Sequence, residues 1–580
     1  MPCMDQIFVL FNHPLVFDGD CTAADIAIMG YVADFKDGLR AFTPQERRNI
    51  AIYIAGIMIY KFGLEAFNGS VVALATNRYD YESIQSGRPS RTFERVGLLT
   101  GLNQACQCIG SILIGPLVKR YPTKNVLACA VLVFGLCSAL LLIIDAATGG
   151  TFMPAAYREN HPKNDWSYYG DYNTDAMIPV YCISGIAYGM VELIRRVIPR
   201  DIVGGHVQKL RKMDSIVHIF YEITGTAGAF ITALVIIPQL GNNKAFIVTP
   251  VCFTFCATIW YFISELDFKR RKSTLHQHEK PAYWKAAFRG LFLFGESIWV
   301  GGRILFTSRK FIWLVPGYAV ALYAHRYLEN GIAPQVARRY LGHSAWSQIM
   351  VGGSNLGELL GALAVLLLTN TIQTPMPWLR LDAIMLLIVW YIPFWRPPVD
   401  DVGQAWIVAA TFAPISFGWA AGDVSLAAYI QASLSRLESK NKNVSALGAV
   451  MAFLYSFYIV TYAISGTLLG RYLDRVYNES GGTDGGNIRE GLMFTAGMQM
   501  TIISVLVFAA TFVPKGALAF NPKMISEEKL DEDEPVELKG RRDQEEILDA
   551  PVFKESSKKS YCTSDDGSEP HIEKKASEII

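Results

Sequence analysis

Hydrophobic runs alternate with short polar breaks along most of this chain, and the runs are long. Apolar stretches near residues 50–72, 96–118, 125–145, 176–194, 215–238, 245–264, 311–327, 347–369, 380–395, 404–429, 446–469 and 491–514 each approach the roughly 20 residues that an α-helix needs to cross a hydrocarbon core about 30 Å thick. They fall into two sets of six around a hydrophilic, basic segment at 266–310. The pattern predicts an all-α membrane protein of twelve transmembrane helices in two pseudo-symmetric six-helix bundles, 48–265 and 311–514, with an N-terminal segment 1–47 and a tail 515–580 outside the membrane. The run 311–327 is the shortest. The neighbouring stretch 287–306 is apolar but interrupted by Glu296 and Arg303, and reads either as an amphipathic connector on the membrane surface or as the seventh span itself.

Composition supports the same class: 51% of the 580 residues are hydrophobic and 18% charged, a balance suited to lipid rather than to a water-soluble core. The net charge of +1 conceals an asymmetry between alternate loops. Loops 119–124, 195–214 and 266–289 are rich in Lys and Arg, whereas 146–175 carries Glu159, Asp165, Asp171 and Asp175. By the positive-inside bias the basic loops and both termini belong in the cytosol, although Arg326, Arg338 and Arg339 in 326–346 break the alternation. No cleavable leader precedes Arg47 and Arg48. Of three Asn-x-Ser sequons, at Asn68, Asn443 and Asn478, only Asn478 falls in a loop expected outside, so it is the glycosylation candidate. Seven of the ten cysteines lie in apolar runs and are expected as free thiols. The tail is charged and poor in aromatics, and is expected to be disordered.

The two halves echo each other. Gly185, Ala187, Gly189 and Val191 recur as Gly418, Ala420, Gly422 and Val424 at one offset of 233 positions, and Gly101-Leu-Asn103 recurs as Gly353-Ser-Asn355, which sets Cys106 opposite Glu358. Small residues four apart let helix backbones approach closely. Over about 45–515 the chain resembles the major facilitator superfamily. The loop Gly115-Pro-Leu-Val-Lys119-Arg120-Tyr-Pro122-Thr-Lys124 is similar to that superfamily's motif Gly-x-x-x-Asp-Arg/Lys-x-Gly-Arg/Lys-Arg/Lys. Lys119 replaces the acid and Pro122 the second glycine, so the gating contact the resemblance implies for this loop does not transfer unchanged. Gly225-Thr-Ala-Gly228 is similar to part of the antiporter motif but lacks its Gly-Pro and final Gly-Gly. The segments YKFGLEAFNGSVVALATNRYD, MVELIRRVIPRDIVGG and RRYLGHSAW resemble a fungal branch of the superfamily, and that resemblance implies copper as one substrate class.

Ionisable residues inside spans cost at least about 2.5–3.5 kcal/mol each and concentrate at functional cavities. Lys61 and Glu65, and His218 and Glu222, stand at i and i+4 on one helix face. Glu358 and Asp423 lie in later spans, and Glu192 sits beside Arg195 and Arg196. One reading makes the carboxylates of Glu65, Glu222, Glu358 and Asp423 a cation or proton-coupling set; the other makes Lys61–Glu65 and Glu192–Arg195/Arg196 structural clamps. Sulfur ligands suit Cu(I), which raises Cys106, Cys108, Cys252, Cys256, Met493, Met498 and Met500 as metal candidates, against their ordinary use as core filler. Cys106 and Cys108 point about 200° apart, so only one can face an ion. Cys3, Met4 and an HxH at His276 and His278 are weaker candidates.

The expectation is therefore a secondary active carrier, first for copper, with a proton-coupled carrier of a small organic solute (nutrient, drug or secondary metabolite) as the alternative. A transceptor signalling through the tail or a membrane-embedded enzyme fits less well. No Walker sequence accompanies the spans, and no cofactor or nucleic acid is implied. The chain reads as a monomer embedded in a lipid bilayer, the plasma membrane favoured over the vacuole or another internal membrane.

Overall fold

A computed structural model describes residues 42–118, 120–159, 166–203, 207–264, 282–368, 371–435, 446–514 and 516–519. The chain divides into two units, Met1–Glu527 and Glu528–Ile580, and every described residue belongs to the first. The expected N-terminal segment up to residue 41, Lys119, Asn443, the HxH histidines and the tail from 520 lie outside the described residues.

The described residues are helical throughout their regular structure. The first bundle contains α1 (Pro44–Ser86), α2 (Thr92–Val118), α3 (Thr123–Ala147), α4 (Met177–Val203), α5 (Val207–Ile231, running on to Leu240) and α6 (Val248–Tyr261). After α7 (Tyr283–Thr307) come α8 (315–339), α9 (Ser347–Leu368), α10 (Met376–Met385, running on to Phe394), α11 (Val402–Ser435), α12 (Ala446–Glu479) and α13 (Arg489–Ala510). Ten of these helices are long and apolar enough to cross a membrane; α6, with its preceding turn Ala245–Ile247, is shorter, and α8 is broken into pieces. At 1.5 Å per residue, the 43 residues of α1 extend about 64 Å, roughly twice the hydrocarbon thickness. A Thr43/Glu46 capping box starts that helix, with Glu46 Oε2 accepting from Thr43 N at 2.7 Å, and Gly87 ends it at φ 61°, a left-handed backbone that glycine adopts without steric cost.

The expected bounds of the seventh run are corrected here. The run expected at 311–327 falls in α8, which reaches a dozen residues beyond it. Its first turn, Val315–Val320, and Leu328–Ile332 are π-helical, and Pro316 and Pro334 stand at these irregularities, where proline removes a backbone donor from the i→i−4 ladder. Arg326, Arg338 and Arg339 therefore lie in a helix, not in a loop. The stretch 287–306 falls in α7, which is not counted among the helices long and apolar enough to cross a membrane, in keeping with the connector reading. Tyr283 donates its hydroxyl to Leu113 O at 3.0 Å near the end of α2, while Gly302 and Phe306 meet Phe453 near the start of α12. Helix α7 thus crosses the ends of two spans at one level, along the face that carries the basic loops 119–124 and 195–214, here called the basic face.

The halves repeat in their packing. Gly185 and Gly189 of α4 press against the backbone of Asn103 and Gln107 in α2, and in the second bundle Gly353 and Gly357 of α9 press against Ala409 and Ala413 of α11. These are the same helix pairs in each bundle. The echo at offset 233 is two turns out of register with this contact, because Gly418 and Gly422 pack on Asp382 and Leu379 of α10 instead. At the face opposite the basic one, Asp145 holds the first bundle together by accepting from Lys244 Nζ at 2.8 Å, Asn243 Nδ2 at 3.1 Å and Gly170 N at 2.9 Å. Arg78 donates to the carbonyls of Gly170 and Tyr172 and lies 3.6 Å from the Tyr172 ring centroid; burial pushes that tyrosine hydroxyl up to about 12.

Candidate functional site

The charged residues inside the spans gather where the two bundles face each other. On the first bundle, Lys61 Nζ sits 2.6 Å from Glu65 Oε1, as their i, i+4 spacing requires, with both side chains at most 10% exposed. Lys61 also lies 4.5 Å from the centroid of Tyr221, and the Arg195 guanidinium lies 4.5 Å from the same ring. Arg195 pairs with Glu192 at 2.6 Å, so this clamp is formed as well. Glu222 is buried, 3.9 Å from His218 Nδ1, and its Oε2 has no hydrogen-bond partner.

On the second bundle, Arg326 pairs with Glu329 at 2.8 Å, Ser354 donates to Glu329 Oε1 at 2.7 Å, and Ser354 and Ser416 share a hydrogen bond of 2.7 Å. Glu358 is half-buried and makes no ion pair or hydrogen bond among the described residues; the charges acting on it include Glu222 and Lys61 from the first bundle and Glu329 and Arg326 from the second. Gly225 lets the two sides close. A Cβ at that position would lie 3.2 Å from Lys61 Nζ and 3.3 Å from Asn355 Nδ2, so the bare backbone of α5 lies against a cation of its own bundle and an amide of the other. The Asn355 amide nitrogen and Gln348 Oε1 lack partners, leaving polar atoms available. Tyr458 donates to Gln104 Oε1 at 2.8 Å and Tyr462 shares a 3.4 Å contact with Thr100, both across the bundles.

The opposite face is closed above this cluster. Asp80 at the end of α1 accepts from Arg338 Nε at 2.6 Å, from Arg339 Nη2 at 2.8 Å and from Thr92 at 2.5 Å, while Arg339 also lies 3.9 Å from the Tyr477 ring centroid. Asp474 of α12 caps the free N–H groups of α2, accepting from Phe93 N at 3.2 Å and Glu94 N at 2.8 Å. Asn478 accepts from Ser90 N at 3.0 Å and donates to Ser90 O at 2.9 Å. The Asn478 amide, the expected glycan acceptor, is thus engaged through its oxygen and one of its N–H groups. Toward the basic face the Arg326 and His218 side chains are 41% and 42% exposed, and a Cβ on Gly115 would meet open space. The cluster opens to that side.

The other sequence candidates scatter. Asp423 is half-buried, seven residues or about 10 Å along α11 from Ser416 toward the basic face. Cys106 and Cys182 are free thiols that neighbour each other between α2 and α4. Cys256 donates to Gly56 O at 3.2 Å and the Cys252 Cβ abuts Gly63, so both seal α6 against α1. Cys108 and Met493 are half-buried, Met498 is 47% exposed and Met500 is fully buried two residues on, facing another direction. The sulfur atoms do not converge, and no group of three His, Cys, Asp or Glu among the described residues is placed to hold a metal. Of the loop residues, Lys124 donates to Tyr261 O at 3.2 Å and Thr123 to Asp201 at 2.5 Å, tying the loop to its own bundle.

Sequence reasoning missed Arg326, Glu329, Ser354, Asn355 and Asp80. It also missed a second buried pair, His325 Nε2 to Asp382 Oδ1 at 3.0 Å, on which Trp419 stacks. The signal for α8 was present as Arg326–Glu329 at i, i+3, but the charges hid the helix that carries them.

The family model described as Major Facilitator Superfamily matches residues 50–455. The chain belongs to the major facilitator superfamily. Solved structures of similar fold include nucleoside transporter NupG, as a point mutant, at TM-score 0.52 and 11% identity over 79% of this chain and 99% of that one; a D-xylose-proton symporter at 0.50 and 13% over 81% and 98%; and the peptide transporter POT in complex with sulfate at 0.51 and 11% over 81% and 96%. At these identities the likeness shows the fold alone. No curated protein sequence matches this superfamily member.

Proposed function

We propose that this protein is a proton-coupled carrier of a small polar organic solute, with the basic face in the cytosol and the solute bound between the bundles at Lys61, Glu222, Arg326, Asn355 and Glu358. The observation that carries the reading is the membrane-embedded charge cluster supplied by both halves. Its cations, Lys61, Arg195 and Arg326, are outnumbered by the carboxylates of Glu65, Glu192, Glu222, Glu329 and Glu358. An excess of negative charge in a medium of low dielectric favours uptake of a proton or of a cationic group. Glu358 suits the proton because it is not committed to a partner, and a proton there removes the repulsion from Glu222 and Glu329. The similar structures named for nucleoside, xylose-proton and peptide transport agree with an organic solute.

Copper, the first expectation from the sequence, has less support, because the cavity offers carboxylate and amide oxygens and ammonium groups, poor ligands for a soft ion. The test is uptake into proteoliposomes of radiolabelled pentoses, nucleosides, dipeptides and Cu(I) with and without an inward proton gradient. Gradient-driven uptake of one organic class is expected, and Glu358→Gln should transport it independently of the gradient. Full gradient dependence in Glu358→Gln would refute the coupling role, and accumulation of copper alone would refute the substrate class.

A further inference from the structure

Helix α7 has two dissimilar long sides. Ala287, Gly301 and Leu305 are buried, and Gly301 lies against the Ala449 backbone of α12, while Gly290 lies on Ile112 of α2. The other side is a stripe of Trp284, Phe288, Phe292, Trp299 and Phe306 at helical spacing, each 58–76% exposed. Such a stripe on a water-facing helix is an aggregation hazard, and in a membrane protein it is a surface for lipid. Lys285 and Arg289, one turn apart and both exposed, flank its first half, and Arg303 and Arg309 are exposed near its end. Tryptophan at an apolar–polar boundary and Lys or Arg that extend past an apolar stem are the residues expected of a helix lying at headgroup depth.

We propose that α7 is a binding surface for anionic phospholipid that braces the basic-face ends of α2 and α12 apart. The aromatic stripe enters the acyl region, Lys285 and Arg289 take the headgroup phosphate or carboxylate, and the opposite side links one bundle to the other through Tyr283 on Leu113 and Gly301 on Ala449. Closing the basic face brings those two span ends together, so α7 must first leave one of them. A lipid that holds α7 down therefore favours the open-to-basic-face state. This reading needs the site of the preceding section only for its effect on transport; lipid binding itself stands apart from it.

Hydrogen exchange of the full-length protein in nanodiscs tests it, because both leaflets of a disc have the same composition and neither orientation nor substrate enters. Replacing about a third of the phosphatidylcholine with phosphatidylserine should slow exchange of 283–307 by up to roughly thirtyfold, as two basic contacts at a charged surface imply. Lys285→Gln with Arg289→Gln, exposed positions whose loss disturbs no packing, should abolish that difference and leave exchange in neutral discs as in the wild type. A cationic lipid should reverse the effect in the unaltered protein. Equal exchange in neutral and anionic discs, or a lipid response that survives the double substitution, overturns the proposal.

Discussion

Replacing Asp80 with Asn removes the carboxylate on which Arg338 and Arg339 converge at 2.6 and 2.8 Å, with all three side chains at most 8% exposed. An unpaired buried charge costs about 3–5 kcal/mol. The penalty falls on the state that is closed at this face, since opening gives both guanidinium groups to water. At the lower figure, about 3 kcal/mol, the ratio of open to closed shifts roughly 150-fold, so a face open about 1% of the time becomes open about 60% of the time. Spin labels at the exposed positions Glu82 of α1 and Glu490 of α13, on opposite bundles, report this distance once the accessible native thiols are replaced by serine. Double electron–electron resonance on Asp80→Asn should show a second, longer population that is minor in the parent. A distribution identical to the parent's, in protein that melts at the parent's temperature, would refute the assignment of Asp80 as the latch.

Lys61→Met should lower stability by about 3 kcal/mol by stranding Glu65, and adding Glu65→Leu should recover most of it, because an apolar pair of similar volume replaces a buried ion pair at little cost; fluorescence-detected melting of the detergent-solubilised protein compares the three. Gly353→Leu should cost about 2–3 kcal/mol by forcing α9 off the Ala409 backbone, whereas Gly115→Leu, facing open space, should stay within about 0.5 kcal/mol in the same assay. Asn478 should be recovered unmodified by peptide mapping after expression in glycosylating cells; a glycan at full occupancy would show that the Ser90 bridge does not hold the amide.

The architecture was legible because ten of its helices write themselves as long apolar runs, and a signal of that length survives local exceptions. Lys61–Glu65 and Glu192–Arg195 were legible for a similar reason: their contacts are set by one turn of helix. What sequence could not supply was the partner across the interface. Glu358 comes under the influence of Glu222 only after two bundles fold and dock, and nothing along the chain marks that separation of more than a hundred residues. Cys106 shows the same limit in reverse, since its register suggested the cavity and its thiol instead meets Cys182 on α4. In α8 the functional residues themselves concealed the element, as Arg326, Glu329, Gly331 and Pro334 interrupt the hydrophobic run that would have announced it.

That interruption gives α8 a swivel. The wide turn Leu328–Ile332 holds one residue more than an α-turn, and it lies between Arg326, in the charge cluster, and Arg338 and Arg339, paired with Asp80. Tightening the turn to ordinary α geometry would rotate everything beyond it by about 100°, enough to carry both arginines off Asp80. A ligand that draws Glu329 inward would thereby unlock, by torsion of a single rod, a door more than a full turn away.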